Sequence, residues 1–124
     1  MGERLEDEIV RCGVSIGVAF ACGNVKEKVY KKIISNATDV ASKMGFGPML
    51  AYILYEAGEN RIPKHVASNV VKHLLDFKDR TGESSIEVVL EIFKIANMTY
   101  KLAIKRKYAC KQIGNIEEFL RLLR

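Results

Sequence analysis

Tryptophan is absent from this 124-residue chain, and histidine, proline and cysteine are scarce, at two, two and three residues. Two histidines leave little for metal or acid–base chemistry. His65 and His73 stand eight apart on one expected helix, about 12 Å along its axis and too far to share a metal ion. His73 and Asp76 do share a face, at the spacing of a weak metal pair or, more simply, of a surface contact. The chain has no HExxH, no glycine-rich phosphate loop and no nucleophile elbow. Glu83, Glu87 and Glu91 are spaced by helical turns, yet they sit at a helix start, where carboxylates suit the dipole without any catalytic role. These absences point away from an enzyme, and nothing calls for a cofactor or a metal.

The cysteines Cys12, Cys22 and Cys110 are odd in number and lack a C-x-x-C spacing. Cys12 and Cys22 lie about 15 Å apart along one helix, which prevents them from bridging each other. Free, buried thiols in a reducing cytoplasm are the expectation, with a bridge from Cys110 to one of the others left open. The start "MGERLEDEIV" is acidic, opposite to the basic beginning of a signal peptide. The uncharged run from Cys12 to Val25 is too short to cross a bilayer. A soluble, cytoplasmic protein is expected.

Hydrophobic residues make up 48% of the chain, their spacing is helical, and no segment alternates long enough for a strand. The expectation is all-α: a compact bundle of five to six helices forming a single helical domain over residues 1–124. The first helix begins near Gly2 or Glu3. Its second half, "CGVSIGVAFAC", is apolar all round, which requires burial on more than one side. Gly13 and Gly17 share a face and let another backbone approach closely. Gly23-Asn24 closes this helix, and a second runs from about Val25 to Lys43. A third spans about Pro48 to Ala57, and a fourth Pro63 to Lys78, with Pro63 in its first turn. The fifth and longest covers about Ser85 to Gln112, with Ser84 or Ser85 as its cap. Its expected buried stripe is Ile86, Val89, Leu90, Phe93, Ala96, Tyr100, Ala103 and Ile104. A short last helix, "IEEFLRLLR", follows Asn115.

Charge is the uneven feature. The net charge is +5, and Lys94, Lys101, Lys105, Arg106, Lys107 and Lys111 follow one another without an intervening acid. Lys94, Lys101 and Lys105 fall on one narrow stripe, while Arg106 and Lys107 point elsewhere. Such a segment is either a solvated helix end that suits its dipole or a surface for phosphate contacts. Lys28, Lys31 and Lys32 form a second exposed patch, with Arg121 and Arg124 as extensions. Tyr30, Tyr100 and Tyr108 are the aromatic residues near enough to stack on unpaired bases, although Tyr100 suits the core better.

The stretch "MGFGPMLAYILYEAG", Met44 to Gly58, has two glycines and a proline around Phe46. Gly45 fits a left-handed helix end, Gly47-Pro48 fits a restart, and Phe46 plugs the corner. Phe46, Met49, Tyr52 and Tyr55 form a nearly unpolar surface, the candidate protein interface. "VYKKIISNATDVASKM" followed by this corner resembles the small helical subunit of the type III-B CRISPR effector (Cmr) complex. Gly45-Phe46 stands where that family has a Gly-Leu corner, and Leu50-Ala51-Tyr52 where it has Leu-Ala-Phe. The likeness covers about Tyr30 to Ala57, and beyond it rests on helix order. The family's tryptophan near a basic pair is missing, with "YKLAIKRKYACK" in its place. Small subunits of the type III-A and type I-A complexes are similar helical bundles.

The resemblance implies a non-catalytic subunit in antiviral defence, stacked along a guide-RNA-bearing backbone and partnered by other effector subunits. Its basic surface would face guide or target RNA. Lys94, Lys101, Lys105, Arg106, Lys107, Lys111, Lys28, Lys31 and Lys32 would supply that surface on the ground of charge. The alternative is a helical interaction module that forms a homodimer through "MLAYILYEAG", its charge merely solvated. Low glutamine content with many Lys, Ile and Glu residues is a thermophile-like trait.

Overall fold

The computed structural model describes residues 2–105. Five α-helices follow in order: α1 Gly2–Cys22, α2 Glu27–Met44, α3 Phe46–Gly58, α4 Lys64–Thr81 and α5 Ile86–Lys105. No strand occurs among the described residues, and the all-α expectation holds. The continuation of the long helix to Gln112 and the short helix after Asn115 lie outside the described residues.

Local chemistry sets the boundaries. At the end of α1 the left-handed residue is Asn24, with φ 60°, rather than Gly23. The Val25 amide donates back to Phe20 O and the Asn24 amide to Ala21 O, the paired bonds of a Schellman end. Asn60, φ 61°, repeats the device after α3, with Arg61 N–H on Glu56 O and Asn60 N–H on Ala57 O. Asparagine tolerates this conformation because its short polar side chain bonds locally. Pro63 stands just before α4, and Ser85 caps α5 through its hydroxyl, which accepts the Val88 amide at 3.4 Å.

The corner between α2 and α3 is a single residue. Gly45 adopts φ 105°, ψ −177°, a region open essentially to glycine alone. Its amide donates to Val40 O and Ala41 O. The new helix begins at once with Phe46, two residues before the expected Pro48. Pro48 is then inside the first turn, where its missing N–H leaves no bond unmade.

The principal helix contacts close a ring. α1 lies between α5 and α4, α4 meets α3, α3 meets α2, and α2 returns to α5. Ile16, Phe20, Ile33, Met49, Ile53, Leu74 and Ile92 fill the middle and are essentially inaccessible. Burying each stabilises the fold by about 1.5–3 kcal/mol relative to exposure. On α5 Ile92, which the expected stripe omitted, is as fully buried as Ala96, whereas Leu90 is 45% exposed. The stripe is therefore rotated away from Leu90, because α5 must face α1 more than α2.

That demand comes from the two glycines. A Cβ on Gly13 would stand 2.7 Å from Ile92 O, and one on Gly17 would stand 2.7 Å from Ala96 O. The α1 and α5 backbones meet at these points, so the close approach read from the sequence is realised inside the core. Cys12 is a free, buried thiol. Cys22 is disulfide-bonded, which corrects the expectation of a free thiol there.

Candidate nucleic-acid interface

α2 and α5 leave a groove between them, and two adjoining cavities of about 260 and 490 Å³ lie along it. Ile34 and Asn97 line both, so the groove is continuous. Lys31 from α2 and Lys101 from α5 flank the smaller cavity, and Lys94 lines the larger. Two basic patches that are separate in the sequence thus share one groove through Lys31 and Lys101. Lys105 is exposed one turn beyond Lys101 on the same stripe. Lys28 and Lys32 are exposed on α2 but line neither cavity. Arg106, Lys107 and Lys111 lie outside the described residues, as do Tyr108, Arg121 and Arg124.

The groove is not uniformly basic. Glu27 bonds Lys31 at 3.1 Å, and Lys94 lies 3.8 Å from Glu91. Both are exposed pairs between helical neighbours, worth a few tenths of a kcal/mol and exchangeable for another anion. Glu87 and Glu91 make the far end acidic. Lys28, Lys32, Lys101 and Lys105 have no ion pair with another described residue. The end at Lys31 and Lys101 is therefore where an anionic ligand meets the least opposition.

The floor of that end is aromatic and closed. Tyr30 and Tyr100 stack with centroids 4.0 Å apart at 7°, and Phe20 abuts Tyr30 edge-on at 5.0 Å. Tyr30 is 2% and Tyr100 1% exposed, so neither can stack on a base. This corrects the base-stacking expectation for Tyr30, whereas Tyr100 is in the core, the place that suited it better. The Tyr100 hydroxyl donates to Val25 O, and the Tyr30 hydroxyl donates to Asn97 Oδ1 at 2.6 Å. Burial pushes both phenols above their ordinary pKa, which keeps them hydrogen-bond donors. Asn97 escaped the sequence reading because a lone asparagine on a helix belongs to no motif. Its role depends on a tyrosine 67 residues away.

The α3 surface separates into two sides. Phe46 and Met49 are buried within this chain, at 9% and 0% exposure, so neither is available to a partner. Lys78 Nζ lies 5.6 Å from the centre of the Phe46 ring. Tyr52 is half-buried, and Tyr55 is exposed. Leu54 and Met44 are exposed nearby in sequence, and Arg61 stands 5.9 Å over the Tyr55 ring while its guanidinium bonds the buried Glu56 at 3.1 Å.

A further cavity, about 240 Å³, separates α1 from α4 and is lined by Glu8, Arg11, Cys12, Ser15, His73, Asp76, Phe77 and Arg80. Burial pushes the Cys12 thiol up to about 12, helped by the nearby carboxylates of Glu8 and Asp76. A thiol so held is a poor nucleophile. Desolvation lowers the His73 pKa, against Asp76. Among the described residues no three of His, Cys, Asp and Glu come together to hold a metal ion, and no helix is long and apolar enough to cross a membrane.

No protein-family model, no curated protein and no solved structure matches the chain.

Proposed function

We infer that this protein is a non-catalytic, RNA-associated small subunit of a type III CRISPR effector, working in the cytoplasm in antiviral defence. Its α2–α5 groove lies against the sugar–phosphate backbone of guide or target RNA. One observation carries the reading: Lys31 and Lys101, 70 positions apart in the sequence, flank a single cavity. Lys105 extends the basic line past it, and the resemblance over Tyr30 to Ala57 supplies the biological setting. Recognition on this surface is by charge and without base stacking, because the tyrosines are sealed. Such contacts position a nucleic acid without reading its sequence.

Binding of single- and double-stranded RNA across a salt series tests this. The logarithm of affinity should fall with the logarithm of salt by about 0.7–0.9 per phosphate neutralised. Changing Lys31 and Lys101 together to Glu should abolish binding at moderate salt, while Lys28 and Lys32 changed to Glu should weaken it less. Salt-insensitive binding, or none at low salt, refutes the reading.

A second reading rests on the exposed Met44, Leu54 and Tyr55. On it the chain is an interaction module that dimerises through α3, and Leu54→Glu would return the dimer to monomer in sedimentation equilibrium.

A further inference from the structure

We propose that Asn97, set between Lys31 and Lys101, is the seat of one nucleic-acid backbone phosphate and receives it through its side-chain NH2 group. This deepens the RNA reading above and rests on it.

The argument starts from the amide. Asn97 is exposed, yet its carbonyl oxygen is engaged from below by the Tyr30 hydroxyl. No other described group accepts that hydroxyl's proton, so the amide is oriented with Oδ1 toward the core. Its Nδ2 is then the free end, with two N–H donors. The orientation is firm because Tyr30 is immobile. Its ring is held between Phe20 and Tyr100, and Tyr100 is itself tied to Val25 O. A side-chain amide on a helix surface ordinarily samples several rotamers, and here the ordering is completed before any ligand arrives.

The surroundings suit an anion of phosphate size. Lys31 and Lys101 stand on the two walls, and Ser35 adds a hydroxyl from α2. Ile34 and the tyrosine rings make an apolar base, so charge-assisted hydrogen bonds formed there are only partly screened by water. Glu27 is the opposing group, bonded to Lys31. A phosphate must displace it, which makes Glu27 a competitor within the site and gives the seat a distinctive signature. Glu87 and Glu91 line the adjoining cavity and not this one, so the chain of the nucleic acid would leave toward Lys105.

The test uses the full chain, 15N-labelled, titrated at low salt with a short oligouridylate and separately with inorganic phosphate. The Asn97 side-chain amide signals are followed directly, independently of any variant. Oligouridylate should shift them. Asn97→Asp, which keeps an acceptor for Tyr30 but replaces the NH2 donor with a carboxylate, should weaken oligouridylate binding by more than about tenfold, the lost hydrogen bond and the repulsion by the added charge acting together. Glu27→Gln should tighten it several-fold. If oligouridylate binds without moving the Asn97 signals, and Asn97→Asp binds as well as the parent, the seat is wrong and the RNA reading stands. If inorganic phosphate moves the signals while oligouridylate does not bind, the cavity holds a free anion and both readings fall. Response to neither ligand also overturns both.

Discussion

Replacing Gly17 by alanine should destabilise the protein, although the same change on an open helix face would stabilise it. Alanine is favoured over glycine in a helix interior by about 1 kcal/mol. At Gly17 the added methyl would meet Ala96 O at 2.7 Å and Thr99 Cβ at 2.7 Å. Ordinary contact begins near 3.4 Å, so α1 and α5 must part by about 0.7 Å. One obstacle is backbone and cannot turn aside. Overpacking of this kind costs about 1–3 kcal/mol, and the rigid neighbour places it toward the upper end. The net loss is then about 1–2 kcal/mol, or a fall in Tm of about 4 °C for each kcal/mol. Urea unfolding followed by circular dichroism measures it, with Gly47→Ala as the reference. A methyl at Gly47 meets nothing within 4 Å, so that variant should gain a few tenths of a kcal/mol. If Gly17→Ala proves as stable as Gly47→Ala, the two backbones do not touch where described, and the explanation of the rotated α5 stripe falls with it.

Three further outcomes follow from the interior. Tyr100→Phe removes the donor to Val25 O and should cost about 1–3 kcal/mol by leaving a buried carbonyl unpaired; an unchanged urea midpoint would refute that bond. Cys12 should resist maleimides in the native protein at pH 8 and react only on unfolding, because its folded pKa lies near 12 against an ordinary 9.0. Rapid native-state labelling of Cys12, located by peptide mapping, would contradict its burial. His73 has a folded pKa below its ordinary 6.5, so the unfolded chain binds the proton more readily. The stability its neutral form provides is present above pH 6.5 and declines as pH falls below it toward the folded pKa. Tm measured from pH 7 downward should fall less steeply in His73→Gln than in the parent.

The fold was legible where the signal is local. Periodicity located every described helix, and Gly13 and Gly17 announced a close neighbour without naming α5. Phe46 shows the limit. Gly47-Pro48 reads as a helix start by composition, yet Gly45 alone completes the reversal, and the helix begins before the proline. Asn24, beside Gly23, and Asn60, two positions after Gly58, took the left-handed positions that composition favours giving to glycine. The candidate site was legible in its lysines and opaque in its architecture. Charge marks Lys31 and Lys101 individually, but only helix packing brings them together. The same packing closes the tyrosines to bases and turns Asn97 into an oriented donor.

The pairing of α1 with α5 also bears on how the chain is made. Translation produces α1, with a second half apolar on every side, well before its main partner, which is not begun until Ile86 has been added. At about 5–20 residues per second this wait lasts several seconds. Through that interval α2, α3 and α4 can settle against one another and α4 against α1, while the face of α1 that carries Gly13 and Gly17 still waits for α5. The ring closes when α5, the last of the described helices, packs between α1 and α2.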